Sequence, residues 1–523
     1  MKRILIIILI GTSLSITSCF NDLDLEPPFG VNTTTVYEDP ENYINVLAKI
    51  YAGLATTGNS GPAGSGDISG IDEGFSQYIR ILWNLNVLTT DEAVCAWNDP
   101  GIADLTFNNF NSLNPWFNGM YSRIFFQVVL CNEFIRESSE SKMDDRGFSQ
   151  TEKEIIRLYR NEARFIRALA YYHAIDLFGN VPFVTEADKP GSNFPPQINR
   201  ADLFDYVESE LLEIEDDLIP ARMHEYARAD QAAVWSVLAK LYLNAEVYIN
   251  TPKYTECLTY CNKIIDAGYT LEPEYTHLFL TDNHLSNEII FPVTFEGDNT
   301  QTYGGTTFLT HAPVGGTMVP ADYGINTGWA GYRATPEFVD IYEDTTDGRY
   351  LFYKDGQQKD ITERGTFSQG YAIEKFKNIS STGVPGVDVE FVDTDFPLFR
   401  LADFYLMYAE AVLRGGAGGD MATAINYINL LRVRSFGNSS QNVSMIDLPF
   451  IIDERAKELF WEAHRRTDLI RFGLFTSGSY VWTFKGGDAM TPQGSALPSH
   501  FKLFPLPQAD VVANTNLQQN PGY

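Results

Sequence analysis

Apolar residues along this chain recur mostly three and four positions apart, the spacing of helix faces. The densest such stretch is Asn161 to Glu186, NEARFIRALAYYHAIDLFGNVPFVTE. There Phe165, Ile166, Leu169, Tyr172, Ile175, Leu177 and Phe178 share helical spacing, and Ala163, Ala168, Ala170 and Ala174 fill the gaps. A helix that is apolar or small nearly all the way round must be packed on several sides. Gly179 stops it and Pro182 prevents a restart. The same periodicity predicts helices over Glu41–Leu54, Met120–Arg136, Thr151–Phe178, Ala201–Leu218, Asp230–Tyr248, Tyr254–Ala267, Leu401–Arg414, Met421–Arg434 and Leu448–His464. Pairs joined by short turns loosely follow the tetratricopeptide pattern, without a fixed period.

Two long stretches break this rhythm, Ala55 to Phe117 and Gly268 to Leu398. The first opens with a glycine-rich loop. From Phe75 to Phe117 it reads as irregular, with Trp83, Trp97 and Trp116 scattered among Asn, Asp and Pro. The second has short β-like runs, Glu288–Thr294 and Tyr371–Phe376, and no long helix. The expectation is a mostly α fold, in which helix pairs scaffold a loop-rich half with few short strands. Loops on a rigid scaffold are where binding usually sits.

The first residues change the picture of location. Two cations precede an apolar run, Ile4 to Ile10, and small residues lead to Cys19. This predicts an export signal over residues 1–18, cleavage before Cys19 and lipid on that cysteine. Residues 19–36 read as a tether and 37–523 as one domain. No later run is long and apolar enough to cross a bilayer as a helix. The net charge of −30 excludes nucleic acid and anionic lipid as partners, because both would be repelled.

Candidate chemistry is sparse. The glycines between Gly64 and Gly70 have the wrong spacing for a dinucleotide site, and no P-loop occurs. Cys257 and Cys261 lie on neighbouring turns of one expected helix, and no Cys/His cluster suggests zinc or any other metal. The seven histidines are spread out, and most are expected to be solvated or capped singly. Arg455, Glu458, Glu462, Arg465, Arg466 and Asp468 fit ion pairs along one helix, Glu462 to Arg466 in the favourable order, better than a catalytic cluster. No cofactor and no enzymatic centre are expected. Aromatics make up 13% of the chain. Trp97 and Trp329 sit in aperiodic Gly/Asn/Asp-rich segments with no helical core face to fill. Such rings can bury the C–H face of a sugar while Arg, Asp and Asn bond its hydroxyls.

Four stretches in order resemble the SusD/RagB family of surface glycan-binding lipoproteins. They are the helix EARFIRALAYYHAIDLFGNVPFVTE; Phe396 to Ala411; Arg455 to Gly473, with Ala463 where glycine is usual; and the ending Phe504-Pro-Leu-Pro-Gln508 to Tyr523. The resemblance implies a protein lipid-anchored on the extracellular face of the outer membrane. It would cap a TonB-dependent, SusC-like transporter, to which it hands neutral oligosaccharide or polysaccharide without covalent chemistry. A narrower set of stretches, Asp72–Arg80, Asn86–Trp97, Tyr303–Leu309, Thr327–Trp329 and Arg471–Phe475 to Lys485–Gly487, is similar to starch-binding members. That similarity implies an aromatic arc of Trp97, Tyr303 and Trp329, with Arg80 donating to hydroxyls and Asp72 accepting beside it. Cys95 stands where a further tryptophan would stack and Pro100 where an asparagine would bond the sugar; Asn98 or Asp99 would compensate. A starch-like α-glucan is favoured, with a β-glucan, a fructan or oligopeptides as alternatives. A glycoside hydrolase with a carboxylate pair at catalytic separation is a remaining reading.

Overall fold

The structure, a computed structural model, describes residues 33–523 except 65, 189–190 and 192–193. The export signal, Cys19 and most of the tether therefore lie outside the described residues. The chain is mostly helical. In order, the helices used below are α1 (Tyr43–Ala55), α2 (Tyr78–Val87), α3 (Pro115–Glu137), α4 (Gln150–Leu177), α5 (Arg200–Ile214), α6 (Gln231–Leu243), α7 (Tyr254–Asp266), α8 (Gly305–His311), α9 (Leu401–Leu413), α10 (Met421–Phe436), α11 (Leu448–Leu459) and α12 (Arg465–Arg471). The strands are short and antiparallel: β1 (Val94–Cys95) pairs with β3 (Tyr332–Arg333), and β2 (Ile289–Val293) pairs with β4 (Phe396–Arg400) through a bulge.

The expected hub is α4. Ser149 and Glu152 close a reciprocal capping box at its start. Its second half, from Asn161 to Leu177, is buried almost without interruption because α3, α5, α1 and α6 all pack on it. Gly179, at φ +75, ends it as predicted. Further helices follow in pairs, α6 on α7 and α9 on α10, with α7 also against α9. One continuous hydrophobic core runs from Tyr37 to Leu517 and takes in residues from both inserts.

Four expectations fail. Residues 75–117 are not irregular throughout. They contain α2, all ten residues of which are buried, the polar Arg80, Asn84 and Asn86 among them. The span Asp230–Tyr248 is interrupted at Asn244. The span Leu448–His464 stops at Leu459, and a tight turn with Trp461 at φ +62 and Ala463 at φ +65 leads into α12. A left-handed backbone at Ala463 explains why glycine suits that position, since an L side chain there crowds the carbonyl oxygen. Finally, the charges around this turn do not pair along one helix. Arg466 leaves Glu462 and covers the ring of Phe504 at 4.1 Å. Glu462 instead meets Arg400 at 2.6 Å and Lys375 at 2.7 Å. Glu458 meets Arg400 at 2.7 Å and Arg434, and Arg465 forks onto Asp91 at 2.8 and 2.7 Å. Arg455 joins Asp403 to Asp468. These ions are buried, and through Asp91 and Lys375 they bolt the inserts onto the C-terminal helices.

Two histidines lie inside the fold. His173 and His311 are buried and His464 is partly covered, and desolvation pushes the pKa of His173 and of His464 down to about 3. Cys257 and Cys261 are free and buried as expected, and no cluster of potential metal ligands occurs among the described residues.

Candidate functional site

The two inserts meet at the β1–β3 ladder. Val94 pairs with Arg333 and Cys95 with Tyr332, and the Ala96 N–H donates to the Gly331 carbonyl at 2.8 Å. This ladder carries Trp97 and Trp329, 232 positions apart, to one spot. The Trp97 Nε1–H donates to the Trp329 carbonyl at 2.9 Å, and the two rings lie 6.2 Å apart with a 49° tilt. Tyr303 meets the other side of Trp329 at 6.4 Å. All three rings are half-buried, so each keeps part of a face in water.

Support comes from below. An aromatic column runs from Trp461 through Trp83 to Phe308 and Tyr332, and Trp97 stands on Tyr332 at 5.2 Å. The Trp83 indole N–H donates to the Trp461 carbonyl at 2.9 Å, which ties the column to the strained turn before α12. Gly331 is where the backbone passes directly under Trp97: a Cβ there would lie 2.4 Å from the indole. Gln77, the N-cap of α2, links three segments. Its Oε1 accepts from Arg80 N and Gly305 N, and its Nε2 donates to the carbonyls of Leu54 and Ala55.

Arg80, on the first turn of α2, lies with its guanidinium 4.6 Å from Phe308, 5.9 Å from Trp97 and 6.0 Å from Trp329. Its Nη1 donates to the carbonyls of Gly74 and Tyr303, both at 2.8 Å. Its Nε is buried without a protein partner. Burial lowers its pKa, while nearby Tyr332, Cys95, Asp99 and Asp72 act in the opposite direction. Arg80 is thus a cation held behind the rings with donor capacity unspent. Asp72 is exposed and folds the loop by accepting from Phe75 N at 3.0 Å. Asn98 and Asp99 form an exposed lip beside Trp97. The Asn98 Oδ1 already accepts from Arg364 at 2.7 Å, which leaves its amide N–H groups to face outward.

Sequence reasoning missed three groups. Arg364 Nη1 donates to the carbonyls of Cys95 and Trp97 at 2.6 Å, latching the Trp97 loop. His311 stacks on Trp329 at 4.8 Å, and its ring nitrogens lie 2.6 Å from the Thr327 carbonyl and 2.9 Å from the Glu390 carbonyl. Burial lowers its pKa. Glu390 accepts from the Tyr303 hydroxyl at 2.9 Å and thereby raises its pKa. All three act across long loops, and no local pattern marks them. Cys95, where a further stacking ring was expected, is fully buried in β1 and lies under the surface rather than on it.

Comparison with known proteins decides the family. The starch-binding protein SusD of Bacteroides thetaiotaomicron is 34% identical over 98% of this chain and 97% of its own length. The chain belongs to the SusD family. The SusD family profile matches residues 343–523, and a profile described as starch-binding associating with outer membrane matches residues 70–243. SusD-like protein P2 of Formosa agariphila is 25% identical over 80% of this chain and 83% of that protein. Among solved structures, a SusD homologue of Bacteroides thetaiotaomicron has a TM-score of 0.73 at 21% identity, covering 95% of this chain and 99% of that one. Surface glycan-binding protein A of the same organism, solved with laminarihexaose, has a TM-score of 0.69 at 19% identity, covering 92% and 99%. The mostly helical SusD fold is therefore common to all of them. The stretches that identified the family lie in α4, at β4–α9, around α12 and at the C-terminus, largely in the scaffold beneath the aromatic platform.

Proposed function

We propose that this protein binds a neutral glucan, starch-like in preference, on the platform of Trp97, Tyr303 and Trp329. Arg80 and Asn98 donate to sugar hydroxyls there, and Asp72 and Asp99 accept from them. The reading rests on one observation. Three partly exposed rings, spaced 6.2 and 6.4 Å apart, are fixed by hydrogen bonds around a buried guanidinium. A sugar's C–H face is buried by such rings and its rim is satisfied by such donors. The name of the 34%-identical relative supports starch over other glucans. Binding is reversible and involves no covalent step. In this reading the chain is anchored by lipid at Cys19 on the outer-membrane surface, and residues 37–523 work as one unit that passes glycan to a TonB-dependent, SusC-like transporter.

Affinity electrophoresis through gels containing starch, dextran, laminarin or levan tests the reading. Retardation by starch, with no sugar released on prolonged incubation, is the expected result. Retardation by laminarin or levan alone reassigns the glycan, and mobility unchanged in every gel rejects the platform. Gly331→Ala gives a finer check. The added methyl must push Trp97 off the backbone, so glucan affinity should fall about tenfold while the protein still folds, at a cost of ~1–3 kcal/mol. Calorimetric titration beside a thermal melt reads both numbers.

A further inference from the structure

A cleft of about 670 Å³ lies between α1, the turn at Tyr226–Arg228, β2 and the loop 298–301. That volume falls in the range of small-ligand sites, about 300–1,000 Å³. Its floor is apolar, from Ile44 and Phe291. Tyr226 forms one wall and is 45% exposed, yet it is not loose. Its hydroxyl donates to Asp395 Oδ2 at 2.8 Å, and its ring meets His284 edge-on at 6.3 Å. The Gln301 amide and the Asp298 carboxylate, also in the lining, make no hydrogen bond to any described residue. Arg228 offers no free charge, because Glu162 and Glu225 already hold it. A fixed, half-exposed ring sharing a cleft with unspent polar groups, and no unpaired cation, suits a neutral polyhydroxylated ligand and not an anion.

The cleft adjoins the aromatic platform. Gln301 is two residues before Tyr303, so their Cα atoms are at most about 7 Å apart. The carbonyls of Leu54 and Ala55, both cleft-lining, are bonded by the same Gln77 side chain that caps Arg80 and holds Gly305. The Gln77 side chain thus touches the backbone of both surfaces. We propose that the cleft is a second glycan subsite, reached by chains too long to be held by the platform alone. Tyr226 is its stacking residue, and Gln301 and Asp298 are its hydroxyl partners. The proposal rests on the platform reading and adds a dependence on chain length, since a second contact on one chain binds as an intramolecular event.

Calorimetric titration with a trisaccharide, longer oligosaccharides and polymer of whichever glucan retards the wild type separates the two ideas. Tyr226→Ala should bind the trisaccharide like wild type and lose about tenfold on long chains. Gln301→Ala should show the same pattern with a loss of about threefold. Trp329→Ala should lose the trisaccharide but keep weak retardation by polymer. If Tyr226→Ala and Gln301→Ala both fold and match wild type on every chain length, the second subsite is wrong and the platform stands. If wild type binds no glucan of any length, the platform reading fails and the subsite falls with it.

Discussion

Replacing Trp329 by alanine is expected to weaken retardation in the retarding glucan severely, leaving only a weak residue on polymer, while the melting temperature stays nearly unchanged. Trp329 is the middle ring of the platform, with Trp97 on one side and Tyr303 on the other. It also covers Arg80 and rests on His311. Truncation removes its own stacking surface and the wall that orients both neighbours. Losing one stacked sugar residue and the ordering of two rings costs about 2 kcal/mol or more, roughly thirtyfold in Kd. Stability should barely respond, because the ring is half-exposed and its structural hydrogen bond to Trp97 comes from the backbone carbonyl, which alanine keeps. Unchanged affinity in a folded Trp329→Ala protein would remove the platform from the account.

Arg400→Met should produce the largest loss of stability. Arg400 is 1% exposed and bonds Glu288, Glu458 and Glu462 at 2.6–2.8 Å, and all three carboxylates are buried. Methionine roughly conserves volume but leaves three buried anions with fewer counter-charges, a change that costs about 3–5 kcal/mol. A fall of several degrees in Tm is expected, and a variant within one degree of wild type would contradict this view of the network. The pH dependence follows in sign. Although burial alone would raise it, Arg434, Arg400 and Arg349 hold the Glu458 pKa well below the usual carboxylate value, and Arg400 and Lys375 lower that of Glu462. Groups with depressed folded pKa values contribute fully above their unfolded values, about 4.3 for glutamate, and lose that contribution as pH falls toward the folded ones. The contribution of these glutamates to Tm should therefore hold from neutral pH to about 5 and drop below about 4.5, on top of an earlier decline below about 6.5 from His173 and His464, whose lowered pKa values let the unfolded chain bind protons first. The deficit of Arg400→Met should narrow over the same acid range, because its orphaned carboxylates accept protons sooner.

Much of the scaffold was legible from sequence for a simple reason. The apolar rhythm of Phe165, Ile166, Leu169 and Tyr172, the stop at Gly179 and the capping residues of α4 are near-neighbour properties, written within a few turns of chain. The aromatic platform was half legible. Trp97 and Trp329 stood out because large rings in aperiodic polar loops have no local core to fill, and the family resemblance supplied their roles. That they touch could not be read from composition, since the contact depends on β1 pairing with β3 across more than 230 residues.

What only the tertiary structure decided is everything that depends on who packs against whom. Helix α2 stood among the Asn- and Trp-bearing residues of the first insert, and only the structure shows that its polar Arg80, Asn84 and Asn86 are buried with the rest. The charges of Arg455 to Asp468 have the spacing of surface helix pairs, yet the backbone turns at Trp461 and Ala463, and Glu462 faces Arg400 and Lys375 rather than Arg466. Sequence alone determined that this is a helical scaffold carrying two loop-rich inserts with misplaced aromatics. The fold decided where those aromatics meet and what holds them rigid, because long-range pairing is set by the global minimum of packing and charge and not by any local stretch of chain.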